Sequence, residues 1–289
     1  PESAHHRGHE RGHHGGAEVI KGNCLSFTPH QIDLMRKAGR LTAMARAYAG
    51  TLIQPGITTR DIDHEVEKFI KKHGGYPSFY HLYGFKGACC ISVNDEIIHG
   101  VPGGYKLKEG DIVSVDVGAC IGDYHLDRNK CVTGGYHGDC CGNLACGEIS
   151  PEAKRLIEVT EQSFWKGFEQ ARPGNRVYDI SRAVQTYAEE NGYSLVREYT
   201  GHGIGHTVHE DPEVPNYVPE SGRNERLVPN MVICVEPMVN AGTADIRNKW
   251  MPDGWAVPMT ADHKLAAHYE NTILITEAGP EILTRCDED

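Results

Sequence analysis

The sequence predicts an α/β (α+β) fold built from two pseudo-equivalent halves, with a central, mostly antiparallel sheet covered by helices. Three repeated patterns predict it. A Pro-Gly joint followed by an Asp-Ile pair occurs twice at identical spacing: Pro55-Gly56 then Asp61-Ile62, and Pro173-Gly174 then Asp179-Ile180. An apolar strand that starts from a Leu and reaches an acid nine positions on also occurs twice, as Leu107 to Asp116 and Leu227 to Glu236. A His-x-acid tripeptide, His125-Leu126-Asp127, is echoed by His268-Tyr269-Glu270. Repeats of one supersecondary unit in one chain read as a duplicated core.

The elements follow in order. Thr28-Pro29-His30-Gln31 gives an N-cap, a proline at the first helical position and a glutamine at the third, and Ile32, Met35, Ala38, Leu41, Ala45 and Tyr48 follow at helical spacing. A second helix starts near Thr58, with Ile62, Val66, Phe69 and Ile70 on one face, and stops at Gly74-Gly75. Strands are expected over 88–93, 111–117 and 124–133, with Gly122-Asp123 as the turn between the last two. The order then restarts. Ser150-Pro151-Glu152 opens a helix with Leu156, Val159, Phe164 and Phe168 inward, a second helix runs from about Tyr178 to Asn191-Gly192, and strands follow at 195–199, 231–236 and 269–276.

The halves are therefore expected at about 28–133 and 150–285 of a single catalytic domain spanning 23–289. Their offset is 118 residues at the Pro-Gly joints, 120 at the Leu-to-acid strands and 143 at the His-x-acid tripeptides, which places about 23 extra residues near 237–262. Residues 1–22 hold five histidines (His5, His6, His9, His13, His14) among Gly and Arg, with too little apolar surface to offset ordering, and read as a disordered His-rich tail.

Composition narrows the function. Forty acidic against 29 basic residues, a formal charge of −11, argue against a nucleic-acid partner. No apolar run approaches the roughly 18 residues of a membrane span, and the N-terminus lacks an apolar signal core. The ten cysteines, several of them in strand-like apolar runs, read as reduced thiols of a cytoplasmic protein.

The chemistry lies in the acids. An ionised carboxylate in an apolar strand is very costly unless it is paired or metal-bound. Alternation puts Ser114, Asp116 and Gly118 on one strand face, and His268 shares a face with Glu270. The repeat thus brings four acids, Asp116, Asp127, Glu236 and Glu270, toward a common cation. His202 lies in the glycine-rich run Gly201-His202-Gly203-Ile204-Gly205, and His99 and His209 are each followed three positions on by proline.

Taken together, SVNDEIIHG, GHGIG, VHEDP, EPMVN, HYENT and DGW resemble the type I methionine aminopeptidases, over about residues 27–285. The resemblance implies the pita-bread fold, and metal ligands Asp116, Asp127, His202, Glu236 and Glu270. It also implies two divalent metal ions (Co, Mn, Fe or Zn), Asp127 and Glu270 bridging them. Catalytic roles fall to His99, His209 and Glu236: the histidines hydrogen-bond the scissile amide and its oxyanion, and Glu236 assists proton transfer. Cys90 and Trp255 map to a methionine pocket that His99 and His209 adjoin, with the pocket's aromatic at Tyr80, Tyr83 or, without a gap, Leu82. The implied reaction removes initiator methionine from nascent polypeptides whose second residue is small, by a monomer near the ribosome. Prolidases, the nearest rival reading, usually carry a further N-terminal domain, whereas about 25 residues precede the first helix here. Two departures stand out: Leu126 and Arg128 flank Asp127, and residues 134–147, rich in Gly and Cys, read as a surface insertion in which Cys140, Cys141, Cys146 and His137 are the alternative zinc ligands.

Overall fold

The computed structural model describes residues 18–20 and 24–286. Four helices carry the cores: α1 (Pro29–Leu52), α2 (Thr59–Lys72), α3 (Pro151–Glu169) and α4 (Val177–Glu190). Their starts are set by side-chain caps. Gln31 N donates to Thr28 Oγ1 at 3.3 Å while Thr28 N donates to Gln31 Oε1 at 3.0 Å, and Ser150 Oγ accepts from Ala153 N at 3.1 Å. Among the described residues, no helix is long and apolar enough to cross a membrane.

Helices α1 and α2 pack Leu41, Ala45, Ile62, Val66 and Ile70 against Cys89, Ile91, Val113, Val115 and Val117 of the first sheet. Helices α3 and α4 pack Leu156, Phe164, Ile180 and Val184 against Ile233, Val235, Ile273 and Ile275 of the second. In the first sheet the long strand Ile112–Leu126 has Tyr76–Pro77 and Cys89–Val93 along one edge and Val132–Ala145 along the other, all antiparallel. The second sheet runs in the order Gly279–Ile282, Asn271–Thr276, Val232–Val235, Gly201–Gly203, Glu210–Val214, also antiparallel. The two sheets meet where Cys141 N donates to Glu270 O at 3.0 Å and Glu270 N donates to Cys141 O at 3.1 Å. One element of each half is thereby stitched to the other, and the acid-bearing strands converge on the seam.

Three expectations change. The hairpin does not turn at Gly122-Asp123: the pairing shifts between Ile121 and Tyr124 through an irregularity, and the strand runs on to Leu126, turning at 127–130. Residues 134–147 are not a surface insertion but mostly a core strand, with Cys140 and Cys141 fully buried, so the first half extends beyond residue 133. Its glycines serve close packing: a Cβ on Gly138 would press into Thr42 and the Ala38 carbonyl of α1. Finally, the tail's five histidines lie outside the described residues, but Glu18–Ile20 pair antiparallel with Cys24–Ser26, so that part of the tail is ordered. The extra residues of the second half hold a separate hairpin, Ile246–Trp250 with Ala256–Thr260.

Asp63 of α2 ties the helix to the site-bearing sheet. Its Oδ1 accepts from the backbone N–H groups of Ala88 and Cys89, both at 2.9 Å, in a buried setting that raises its pKa. Asp63→Ala strands both donors and should cost about 2–3 kcal/mol. Urea unfolding tests this, and a loss below about 0.5 kcal/mol would show the contacts to be idle.

Candidate metal centre

His202 sits on the short strand Gly201–Gly203 at the seam, and its neighbours explain the glycines on either side. A Cβ on Gly201 would collide with the Cys234 carbonyl, and one on Gly203 with the Asp211 carbonyl. His202 Nδ1 lies 2.8 Å from Gly203 O; with Nδ1–H donating there, loss of the second ring proton gives Nε2 the lone pair that a cation would take. That nitrogen is 3.0 Å from Glu236 Oε2, 3.4 Å from Asp139 Oδ2 and 3.6 Å from Glu270 Oε2.

Asp139, Glu236 and Glu270 are buried, Asp116 is half-buried, and all four carboxylates are under-satisfied. Asp116 Oδ1, Asp139 Oδ1, Glu236 Oε2 and both Glu270 oxygens have no hydrogen-bond partner; the 3.0 Å approach of Glu236 to His202 is close but not directed as a hydrogen bond. Burial, with Asp139 and Glu270 nearby, raises Asp116 well above the usual carboxylate range, and burial with Glu236 nearby raises Glu270 to about 7. Clustered carboxylate oxygens buried without hydrogen-bond partners are unstable as a purely protein arrangement. The same donor set suits divalent cations, so the residues fit the metals that the fold implies. Two donor groups are evident, Asp139, His202, Cys234 and Glu270 on one side and Asp116, His268 and Glu270 on the other. Cys234 faces Thr272 Oγ1 at 3.4 Å, and burial raises its pKa well above the ordinary thiol value, so it remains a thiol.

Four of the five expected ligands therefore come together: Asp116, His202, Glu236 and Glu270. Asp127 does not. It is exposed at the hairpin tip, where its Oδ1 accepts from Asn129 N at 2.7 Å and Cys131 N at 3.0 Å and closes the turn. The place expected for it is taken by Asp139, 2% exposed, whose backbone is clamped by Thr272: Asp139 N donates to Thr272 Oγ1 at 3.1 Å, and that hydroxyl donates to Asp139 O at 2.7 Å. The signal was present in the sequence, since His137-Gly138-Asp139 is a further His-x-acid tripeptide, twelve positions after His125-Leu126-Asp127. His137 itself hydrogen-bonds Ser78 Oγ at 2.8 Å and Gly134 O at 3.0 Å, and neither it nor Cys140, Cys141 or Cys146 belongs to a donor group among the described residues.

A pocket opens beside the acids, lined by Phe79, Leu82, Tyr83, Phe85, Cys90, His99, His209 and Trp255. Of these, Phe79, Phe85 and Cys90 belong to one apolar cluster with Val208 behind them, and Leu82 and Trp255 pack on it. Of the three candidates for the pocket aromatic, Leu82 and Tyr83 line it and Tyr80 does not; Phe79 and Phe85 are additional aromatics there. Trp255 Nε1 donates to His99 O at 3.1 Å, which fixes the wall. His99 has a φ of 60°, a left-handed setting that non-glycine residues seldom adopt. Burial lowers His99 to about 4, so it is neutral near pH 7. His209, exposed at the mouth, packs its ring 4.5 Å from that of His202.

Because Glu270 must lose its proton to bind a cation, affinity should rise with pH through about 7 and fall below it, with protons released on binding at pH 6. Chelator competition at pH 6, 7 and 8 measures this; an affinity flat across that range would contradict it.

Metallopeptidase family M24 matches residues 33–132 and 129–277. The methionine aminopeptidase of Clostridium perfringens is 50% identical over 255 residues, covering 88% of this chain and 96% of the relative. Methionine aminopeptidase 1 of Bacillus subtilis is 46% identical over 258 residues, covering 89% and 98%. Among solved structures, the methionine aminopeptidase of Rickettsia prowazekii superposes with a TM-score of 0.82 at 35% identity, covering 91% of this chain and all of that one. The prolidase of Pyrococcus furiosus, at 22% identity and a TM-score of 0.66, shares the fold, and this chain covers 66% of it.

Proposed function

We propose that this chain, which belongs to metallopeptidase family M24, removes the N-terminal methionine of polypeptides by metal-assisted hydrolysis. The names of its relatives support the reading. One observation carries it: His202 Nε2, the buried Asp139, Glu236 and Glu270 and the half-buried Asp116 converge directly beside an apolar pocket with histidines at its wall and mouth. Asp116, Asp139, His202, Glu236 and Glu270 would hold two divalent cations, of Co, Mn, Fe or Zn, which would supply Lewis acidity and activation of the attacking water.

The protein's own groups do the rest. Phe79, Phe85, Cys90 and Trp255 surround an unbranched thioether, which adapts to irregular apolar space. His99 and His209 hydrogen-bond the scissile amide and the oxygen on which charge develops, in a site screened from bulk water on the pocket side. Glu236 accepts a proton and returns it to the leaving amine. The substrates are nascent chains with a small second residue, met in the cytoplasm.

Peptide hydrolysis tests this. Met-Ala-Ser should be cleaved, the activity should vanish on chelation, and one or more of Co, Mn, Fe and Zn should restore it. Preference for an Ala-Pro peptide would overturn the specificity, and no cleavage with any of the four metals would overturn the enzyme reading.

A further inference from the structure

We infer that His268 is a sixth protein donor to the centre, giving the cation position at Asp116 an imidazole of its own. The inference rests on the metallopeptidase reading but names a residue outside the expected ligand set. His268 is 1% exposed, and its Nε2 has no hydrogen-bond partner. That nitrogen lies 3.4 Å from Glu236 Oε1, and His268 offers a ring nitrogen in one group with carboxylate oxygens of Asp116 and Glu270, all within 4.8 Å of one another. Ligands of one octahedral or tetrahedral cation are spaced on this scale, given metal–ligand bonds of about 2.0–2.2 Å.

Apart from the thiol of Cys234, the two donor groups then have matching composition: carboxylates from both halves, a shared Glu270, and one imidazole each, His202 or His268. The backbone holds His268 in place from two sides. His268 N donates to Asn143 Oδ1 at 3.1 Å, and Cys141 Sγ donates to His268 O at 3.3 Å. Its strand, Ala266–His268, pairs with Met238–Asn240, which sits just past Glu236. A buried imidazole with an unpartnered nitrogen, anchored against both ligand-bearing strands, has the placement of a ligand.

An added nitrogen moves that position from an all-oxygen environment, which suits Mg and Mn, toward Co, Fe and Zn. Cobalt is the probe. X-ray absorption of the wild-type protein loaded with two equivalents of Co(II) should show imidazole outer-shell scattering from two rings per two cobalts. His268→Gln should reduce this to one, weaken the second cobalt about 10- to 100-fold, and leave manganese affinity much less changed. Glutamine keeps an N–H that can reach Glu236, so a hydrogen-bonding role alone would leave the cobalt constants and spectrum unmoved. One imidazole per two cobalts in the wild type overturns the assignment, as does a His268→Gln protein identical to it. The wild-type count decides even if the variant fails to fold. Wild-type protein that binds no cobalt at all overturns the metallopeptidase reading instead.

Discussion

Asp139→Asn is expected to lower kcat/KM on Met-Ala-Ser by on the order of 10³-fold or more, beyond the 10²–10³ typical of losing one oxyanion donor, whereas Asp127→Asn should stay within about twofold of wild type. Asp139 is buried, one of its oxygens has no partner, and the other is 3.4 Å from His202 Nε2. Asparagine there removes a negative charge from the donor set and presents an amide N–H to a cation, so metal stoichiometry should fall with activity. Asp127 only accepts two backbone N–H groups at an exposed turn, a task an asparagine oxygen performs equally well. Turnover and metal content of the two variants, measured side by side, decide the matter. Lost activity in Asp127→Asn with Asp139→Asn intact would return the expected residue to the centre.

The error over Asp127 has a definite physical source. Strand alternation tells which residues share a face, but it does not tell where a hairpin turns. Gly122-Asp123 is a good turn signal, and turning there would put Asp127 near Asp116. The strand instead continues through an irregularity to Leu126, and the register that follows sets Asp116 opposite Cys141 and carries Asp139 to the seam. With two His-x-acid tripeptides in one hairpin, only the tertiary seam to Glu270 distinguishes them, and that contact is absent from local sequence. The same register decides the glycine- and cysteine-rich stretch. Gly138 and Gly142 look like loop residues, yet they are places where α1 rests on the strand, Gly142 against Arg46.

What was legible had a local cause. The helix starts followed from side chains that cap their own backbones, as Thr28 with Gln31 and Ser150 with Ala153. The positions of Asp116 and Glu236 could be read because each acid interrupts or ends an apolar run, Glu270 because its His-x-acid tripeptide echoes an earlier one, and His202 because glycines flank it. Their close approach to one another was implied by the duplication, and the paired hydrogen bonds between Cys141 and Glu270 give it physical form. The pocket was harder. Phe79 and Phe85 look like any core aromatic in sequence, and only the way the segment folds over Cys90 turns them to the site.

His209→Ala should lower kcat about 10²–10³-fold while KM changes far less, the pattern of a hydrogen bond made mainly in the transition state. The ring lies 4.5 Å from His202 at the pocket mouth, and a second aromatic sets its orientation. Tyr83 stacks on it with centroids 5.9 Å apart and planes at 15°, and the phenol oxygen is 3.3 Å from Nδ1. A phenol donating into Nδ1 leaves the imidazole proton on Nε2, where it is available to a developing oxyanion. Tyr83 holds this position at a φ of 54°, next to His81 at 62°, a conformation the backbone adopts only when its surroundings impose it. The long hairpin supplies that constraint: Cys131 Sγ donates to His81 O at 2.9 Å, and Tyr76 OH donates to Lys130 O at 3.1 Å. The tip that misplaced Asp127 in the sequence thus braces the turn that positions His209. Tyr83→Phe keeps the stack and loses only the hydroxyl, so its expected cost is about 2- to 10-fold in kcat, the value of one neutral hydrogen bond. Steady-state kinetics on Met-Ala-Ser separate the cases. If His209→Ala raised KM with kcat intact, His209 would bind substrate and transition state alike; if Tyr83→Phe matched wild type, the stacked ring alone would orient the histidine.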